Sequence, residues 1–374
     1  MADHNTPSPQ PDLHRNRLPS LFEVLSRRTL APVDLFYFYI YMRDQQRSVD
    51  YLDFWLDVAQ HMSMCRHYVR ELRRSVMIGT PDGDKSASKR SSAMLEGLGD
   101  LNHGGPSIYP SDKEKNQDAQ MSAYLRQEAQ HAANTGHSPA GSTGSNNMRQ
   151  TSSNDRPRPS FMSSPHVLTT SDSNSPEHTV ARADIRASAE KILYTYLLPG
   201  AEREIQLPHA ITHEITAGIE EQGRDDPELF DAAKDYVFQA MERDAFPGFL
   251  RAKALGNLVP PSVLMRLVIG LLSMFAAFWV AFILVFLDYG RRTRLWLILP
   301  FTIGVYALCS QQYSLDPILA LLGFSEYTFM NFNRIREPFV RKLLNKRAIM
   351  VLGVTIFIDA CLVVLFVFVP GKRL

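Results

Sequence analysis

Residues 262–287 read SVLMRLVIGLLSMFAAFWVAFILVFL, and this run decides how the rest of the chain is read. Two further apolar runs follow, at 295–313 and 348–369. A helix needs roughly 20 apolar residues to cross the roughly 30 Å of hydrocarbon in a bilayer. The first and third runs have that length, and the middle one is shorter but still wide enough. The sequence therefore predicts three transmembrane helices behind a block whose composition suits water.

Bulk composition narrows what that block can do. The chain has 374 residues, with 40 Lys and Arg against 39 Asp and Glu, a formal net charge of +1. Such a balance gives no reason to expect nucleic acid as a partner. There are three cysteines. Cys65 falls in a helical segment, while Cys309 and Cys361 fall inside apolar runs. That pattern supports neither a disulfide framework nor a zinc site, so no metal and no cofactor are expected. Residues 1–17 are polar and carry prolines but no apolar core. They do not read as a secretory signal, and the first span is expected to direct insertion.

Four regions precede the spans. Residues 1–17 read as a disordered tail. In 18–79, Ser20 followed by Glu23 is a capping box, and 35–42 is a short aromatic run suited to a buried helix. Leu52, Trp55, Leu56, Ala59 and Met62 then form one face of an amphipathic helix. Residues 80–181 are rich in Ser, Asn, Gly and Gln and too poor in apolar residues to offset the entropy of ordering. They read as a disordered insertion, in which only Asp112–Ala133 has the composition of a transient helix. Helical periodicity returns in 182–256. It is carried by Ala189, Ile192, Leu193 and Tyr196, by Ile211, Ile215 and Ile219, and by Leu229, Ala233, Val237 and Met241. Asp226-Pro227-Glu228 has the form of a helix start. Each ordered block is near the lower size limit for its own core. The economical reading is one all-α domain split by a long loop, whose closure cost grows only logarithmically with length.

Placed in order, the two blocks resemble the regulator-of-G-protein-signalling (RGS) family. Ser20-Leu21-Phe22-Glu23-Val24-Leu25, Leu35–Met42 and Asp50-Tyr51-Leu52-Asp53-Phe54-Trp55-Leu56 look like its opening. Ala189–Tyr196, Glu204–Pro208 and Met241-Glu242-Arg243-Asp244-Ala245-Phe246-Pro247-Gly248-Phe249-Leu250 look like its end. The resemblance implies a helical bundle that binds the switch regions of a Gα subunit. Such a protein speeds GTP hydrolysis by holding the GTPase's own groups in place rather than by supplying a catalytic one. It also assigns a Gα-facing set at Asp50, Tyr51, Ala240, Asp244, Ala245 and Gly248. The two acids agree with the family. Tyr51 stands where the family has Asn, Ala240 for Leu, Ala245 for a small hydroxyl and Gly248 for Arg. Core positions match and contact positions mostly do not, which implies a kept fold with altered partner recognition.

The whole layout, a split RGS-like domain followed by three spans, resembles the fungal bud-site-selection RGS membrane proteins. That likeness implies a role in cell polarity beside a second, single-pass membrane protein.

Other residues read more plainly. Phe54 and Trp55 suit a core. His209 and His213 lie at i, i+4 but lack a third ligand, which argues against zinc. Asp359 lies near the centre of the third run, where a carboxylate costs roughly 2.5–3.5 kcal/mol and so needs a polar partner. Tyr306, Ser310, Gln311 and Ser273 are the nearest suppliers by sequence. Arg334, Arg336, Arg341, Lys342, Lys346 and Arg347 crowd the second connection. They favour a cytosolic N-terminus and second loop, although Arg291, Arg292 and Arg294 in the first connection argue the other way. The same basic cluster could hold anionic headgroups. Thr80-Pro81, Ser138-Pro139, Ser164-Pro165 and Ser175-Pro176 offer sites to proline-directed kinases.

The expected function is a non-enzymatic, membrane-anchored RGS-like scaffold for signalling or polarity, placed at sites of polarised growth. An active GTPase-activating protein is the alternative. A small transporter or channel fits poorly, since the spans are unequal and show no internal repeat.

Overall fold

The computed structural model describes residues 15–78, 118–128 and 180–368. The chain divides into two compact units, Ser48–Met241 and Met1–Arg47 with Glu242–Leu374. The N-terminal helices α1 (Leu21–Leu25) and α2 (Leu35–Tyr41) belong to the second of these, with the apolar helices.

In the unit Ser48–Met241 the organising element is α3 (Val49–Ile78). Its Leu52, Phe54, Trp55, Val58, Cys65 and Val69 are buried. Leu56, Ala59 and Met62 keep partial exposure, so the buried arc is centred to one side of the predicted stripe. Partners on two sides explain this. The helix packs against α5 (Arg182–Ile192, carried on by a π-turn to Leu197) and against α7 (Asp231–Ala240). Between those lies α6 (His209–Glu220), which begins after Pro208. Phe54 meets Tyr196 edge-on with ring centroids 5.7 Å apart, and Lys234 Nζ stands 5.4 Å above the Trp55 ring.

Residues 118–128 form a further helix, α4. Its Met121 and Leu125 join Cys65, Val69 and Ile185 in one apolar cluster. Arg66 pairs with Asp118 at 2.7 Å, the Tyr68 hydroxyl donates to Glu128 at 2.7 Å, and Arg182 pairs with Glu128 at 3.2 Å. The helix falls inside Asp112–Ala133, the one stretch of the insertion expected to be helix-forming, and the expectation that it is only transient is corrected, since it is packed. Met121 and Leu125, one turn apart, supply an apolar edge that the average composition of the insertion hides. The remainder of 80–179 lies outside the described residues, as do the Ser/Thr-Pro pairs and residues 1–14. Within the predicted tail, Arg15 is buried beside Glu23 and Glu337, and Arg17 pairs with Glu23 at 2.7 Å.

In the other unit the capping box of α1 forms as read, with the Ser20 side chain and Glu23 exchanging hydrogen bonds with each other's backbone N–H. Helix α2 runs through a π-turn, Met42–Gln46, and packs its rings on α8 (Phe246–Lys253). The centroids are 5.1 Å apart for Phe38 and Phe249 and 5.7 Å for Tyr41 and Phe249. Three helices here are long and apolar enough to cross a membrane: α9 (Pro260–Phe286), α10 (Arg291–Gln312) and α12 (Pro338–Phe368). They meet at Ala277, Ala281, Leu297 and Phe301, with Phe278 and Phe366 packed against this cluster. Small residues set the close approach of α9 and α10: the Leu308 side chain lies over Gly270 and that of Met274 over Gly304. Outward faces carry Leu272, Phe275, Trp279, Phe357 and Leu365, each more than half exposed.

Two features of the second connection were not read from the sequence. After α11 (Pro317–Leu322) comes an antiparallel hairpin, β1 (Phe324–Thr328) and β2 (Asn331–Arg334), with Phe324 opposite Arg334 and a bulge between Glu326 and Thr328. Helix α12 also begins ten residues before 348. Arg341, Lys342, Lys346 and Arg347 lie in its first turns, because Val340 and Leu344 continue the buried stripe of Ala348 and Val351, while Arg334 and Arg336 precede the helix.

Candidate functional site

The positions assigned by resemblance fall in both units. In the unit Ser48–Met241, Asp50 opens α3, and its carboxylate accepts from Arg203 Nε at 2.6 Å. The same guanidinium bonds Asp53, which is 2 % exposed, and burial raises the Asp53 carboxyl above the usual range. Arg203 Nη1 also donates to the Tyr196 hydroxyl, which in turn donates to Asp57 at 2.8 Å. Asp50 is thus held as part of a network around one arginine. Tyr51 is fixed as well. Its hydroxyl accepts from the Gln206 N–H at 3.2 Å and faces the Gln206 carbonyl at 3.4 Å. Where the family carries a short amide for a partner, this chain has a phenol bonded to its own loop. Ala240, the last residue of α7, is half-buried.

Beneath this network His61 is fully buried, with Nε2 3.0 Å from the Asp225 carbonyl. Burial drives its pKa down to about 4. Its neighbours Asp225 and Asp226 are buried too. Asp225 pairs with Arg182 at 2.5 Å, and Asp226 with Arg224 at 2.9 Å and Arg126 of α4 at 3.3 Å. Asp226 does not cap the helix that follows, since its carboxylate is taken by these arginines.

In the other unit Asp244 is exposed and bonded by Arg243 at 2.9 Å, which lowers its pKa. Ala245 is buried. Gly248 lies against the Tyr41 hydroxyl, which also accepts from Gln46 Nε2 at 2.9 Å. A side chain at 248 would meet that hydroxyl, so an arginine there requires Tyr41 to move. Of the six positions, two acids remain available in chemical type, and only Asp244 among them is freely exposed.

A second polar centre, absent from the sequence reading, lies at the start of α9. Glu326 of β1 is fully buried. Its carboxylate accepts from the Val259 N–H at 3.0 Å, the Ser262 hydroxyl at 2.5 Å and the Met330 N–H at 2.7 Å. Its carbonyl accepts from Lys253 Nζ at 2.6 Å, and burial lowers the Lys253 pKa to about 8. Beside it, Asn257 bonds the Asp316 backbone on both sides, through its carbonyl at 2.8 Å and its amide at 3.2 Å. The Asp316 carboxylate takes Arg266 at 2.6 Å and the Tyr306 hydroxyl at 2.5 Å. Glu337 accepts from the Leu30 N–H at 3.0 Å and faces Arg15 at 3.6 Å. These bonds tie α8, the segment before α2, and the hairpin to the ends of α9 and α12. The signals for them were a lone arginine in an apolar run and lone acids in a basic stretch, whose partners are far away in sequence.

Asp359 bonds Thr302 Oγ1 at 2.8 Å. None of the four suppliers expected from sequence is that partner. Tyr306 serves Asp316, one turn further along α10, and Ser273 donates to the Pro300 carbonyl. His209 and His213 stack at 6.2 Å. Among the described residues no cluster of three or more His, Cys, Asp or Glu is placed to hold a metal ion.

Comparison with known proteins finds two family models along the chain. Residues 172–256 match the family model "Regulator of G protein signaling domain". Residues 261–333, which take in α9, α10, α11 and nearly the whole hairpin, match "Bud site selection protein RAX1, C-terminal domain". Protein rax1 of Schizosaccharomyces pombe is 29 % identical over 372 residues, covering 95 % of this chain and 99 % of that protein. The chain resembles the fungal Rax1 proteins from end to end. Bud site selection protein RAX1 of Saccharomyces cerevisiae is 24 % identical over 435 residues, 96 % of each chain. No solved structure matches. The buried Glu326 and Asp316, and the half-buried Arg266 that pairs with Asp316, all lie within the segment that matches the Rax1 C-terminal model.

Proposed function

We propose that this chain is a membrane-anchored RGS-like scaffold acting in fungal cell polarity, in bud-site selection or polarised growth. Its helical domain works at the cytosolic face of the plasma membrane and performs no chemistry of its own.

The observation that carries this reading is the junction around Glu326. A domain meant to swing on a tether would leave the membrane stem by a polar linker. Here Lys253 at the end of α8 is bonded to the hairpin, and α9 starts seven residues later. Breaking that joint would leave a buried carboxylate and several buried N–H groups unpaired, at a cost of about 1–3 kcal/mol each. The α8 end of the RGS-like fold is thus built as part of the stem, which suits a fixed landmark.

The basic second connection supports an orientation with the N-terminus and that connection in the cytosol and the first connection and the C-terminus outside. The partner we favour is a second, single-pass membrane protein engaging the spans, with Asp359 and Thr302 as the polar contact.

A Gα subunit is the second reading, favoured by the exposed Asp244. Against it stand Tyr51, bonded to its own loop, and Gly248, closed by Tyr41. Stimulation of GTP hydrolysis needs several groups positioned together, and these two are committed elsewhere. Single-turnover GTP hydrolysis by fungal Gα, with and without the full chain in vesicles, tests the point. The scaffold reading expects less than a few-fold change, and acceleration by orders of magnitude would replace it with the Gα reading.

A further inference from the structure

The hairpin and the first turns of α12 form a surface that the proposed function does not use. Between residues 317 and 358 the chain carries six cations, Arg334, Arg336, Arg341, Lys342, Lys346 and Arg347, and two acids, Glu326 and Glu337. Both acids are buried and already bonded. None of the six cations takes part in a salt bridge among the described residues. All are exposed except Arg347, which is half-buried.

Geometry gathers them. Arg334 lies opposite Phe324 in the hairpin register. The Arg341 guanidinium lies over the neighbouring Gly323. Lys342 and Lys346 share the exposed side of α12, opposite the buried Val340 and Leu344, and Arg341 is exposed at the flank of that stripe. On that same side the character changes abruptly: Ile349 and Met350 are 63 % and 56 % exposed. From Ile349 to Phe368 the helix rises roughly 30 Å, the thickness of a bilayer's hydrocarbon. The turns before it, with their cations, then stand at headgroup height. The hairpin adds apolar residues at its turn, where Phe329 and Met330 are 49 % and 56 % exposed, with Phe332 beside them.

We infer that this surface binds the headgroups of acidic phospholipids in the leaflet where α12 enters the membrane. The cations pair with phosphate and carboxylate groups, and Phe329 and Met330 seat the hairpin in the interface. Unpaired cations next to an apolar tip suit a charged lipid surface, which offers both chemistries within a few ångströms. The inference rests on the reading that the three apolar helices sit in a bilayer.

The test uses the full chain in mild detergent, titrated with fluorescent phosphatidylserine or fluorescent phosphatidylcholine. Phosphatidylserine is expected to bind about tenfold more tightly, with the preference lost as salt is raised severalfold and the Debye length shrinks. Combining Arg341→Gln, Lys342→Gln, Lys346→Gln and Arg347→Gln should abolish the preference, and Phe329→Ser with Met330→Ser should weaken binding of both lipids a few-fold. Equal affinity for both lipids, or a preference insensitive to salt, overturns the inference. If the fourfold variant does not fold, the salt titration of the unaltered chain decides alone. Alkaline carbonate extraction of native membranes separates the two readings. Release of the chain overturns membrane insertion itself, whereas a retained chain without lipid preference overturns only the headgroup site.

Discussion

Gly248 and Tyr41 are fitted to each other: the Tyr41 hydroxyl occupies the space that a Cβ at position 248 would need. Gly248 lies within α8, where alanine is favoured over glycine by about 1 kcal/mol. In the unaltered chain Gly248→Ala should nevertheless destabilise by about 1–3 kcal/mol, since Tyr41 must move and lose its bond from Gln46. With Tyr41→Phe the same change should become neutral or stabilising, because the nearest remaining ring atom is 3.4 Å away. Thermal melts of the four proteins form a double-mutant cycle. Additive effects would show that the two residues are independent.

Glu326→Gln should cost about 2–3 kcal/mol, although the two side chains have nearly the same shape. The carboxylate accepts three hydrogen bonds. A glutamine offers one acceptor oxygen and turns an amide donor toward N–H or O–H groups. The melting temperature of the full chain in detergent measures this. An unchanged melt would remove the junction from the account of stability.

His61 sets a pH dependence whose sign can be worked out. Its ordinary pKa near 6.5 falls to about 4 in the fold. Below 6.5 the unfolded chain therefore takes up a proton that the folded one refuses, and stability is lost as pH falls from about 6.5 toward 4. The full loss is roughly 3 kcal/mol, at about 1.4 kcal/mol per pH unit. Burial also raises the carboxyls of Asp53 and Asp225, and these act in the opposite direction. The useful quantity is thus the difference between the unaltered chain and His61→Phe. Melts from pH 7 to 4 should be steeper for the unaltered chain, and parallel curves would contradict the assignment.

Asp359→Leu should leave the soluble bundle and membrane insertion intact, since leucine inserts favourably. It should weaken retention of the proposed single-pass partner in mild detergent. Asp359→Asn keeps hydrogen bonding and should be nearly silent, while Thr302→Val should act in the same direction as the leucine change but less strongly. Identical co-purification by all four would make the acid a passenger.

Much of this architecture was legible because it is written in local pattern. The apolar runs, the Ser20–Glu23 box and the stripe through Leu229, Ala233 and Val237 depend on spacing of a few residues. The buried polar centre was not legible, because Glu326 meets Val259 and Arg266 meets Asp316 across 50 to 70 residues of chain, and no local signal marks such pairs. Helix α4 lies inside Asp112–Ala133, the stretch read as a transient helix, and what the sequence did not show is that Met121 and Leu125 find partners in Cys65, Val69 and Ile185. The start of α12 was misplaced because its basic residues, taken alone, look like a loop, although Val340 and Leu344 keep the helical period. For Asp359 the helix was right and the turn wrong. Thr302 is one turn before Tyr306, and sequence cannot say which residue on a shared face meets a neighbour.

Tyr51→Asn together with Ala240→Leu restores two residue types of the RGS contact set while freeing the loop at Gln206. If altered recognition explains weak activity, the double variant should stimulate single-turnover hydrolysis by Gα more than the unaltered chain does. No gain would place the defect elsewhere, with Gly248 the next position to change alongside Tyr41.

The central claim, that the stem rather than a Gα contact places this protein, is tested most directly by imaging fluorescently tagged chains in living fungal cells. The full chain carrying Asp244→Ala should still collect at sites of polarised growth, whereas a chain ending at residue 256 should spread through the cytoplasm. Polarised accumulation of the truncated chain, or its loss in the full-length Asp244→Ala variant, would contradict the account.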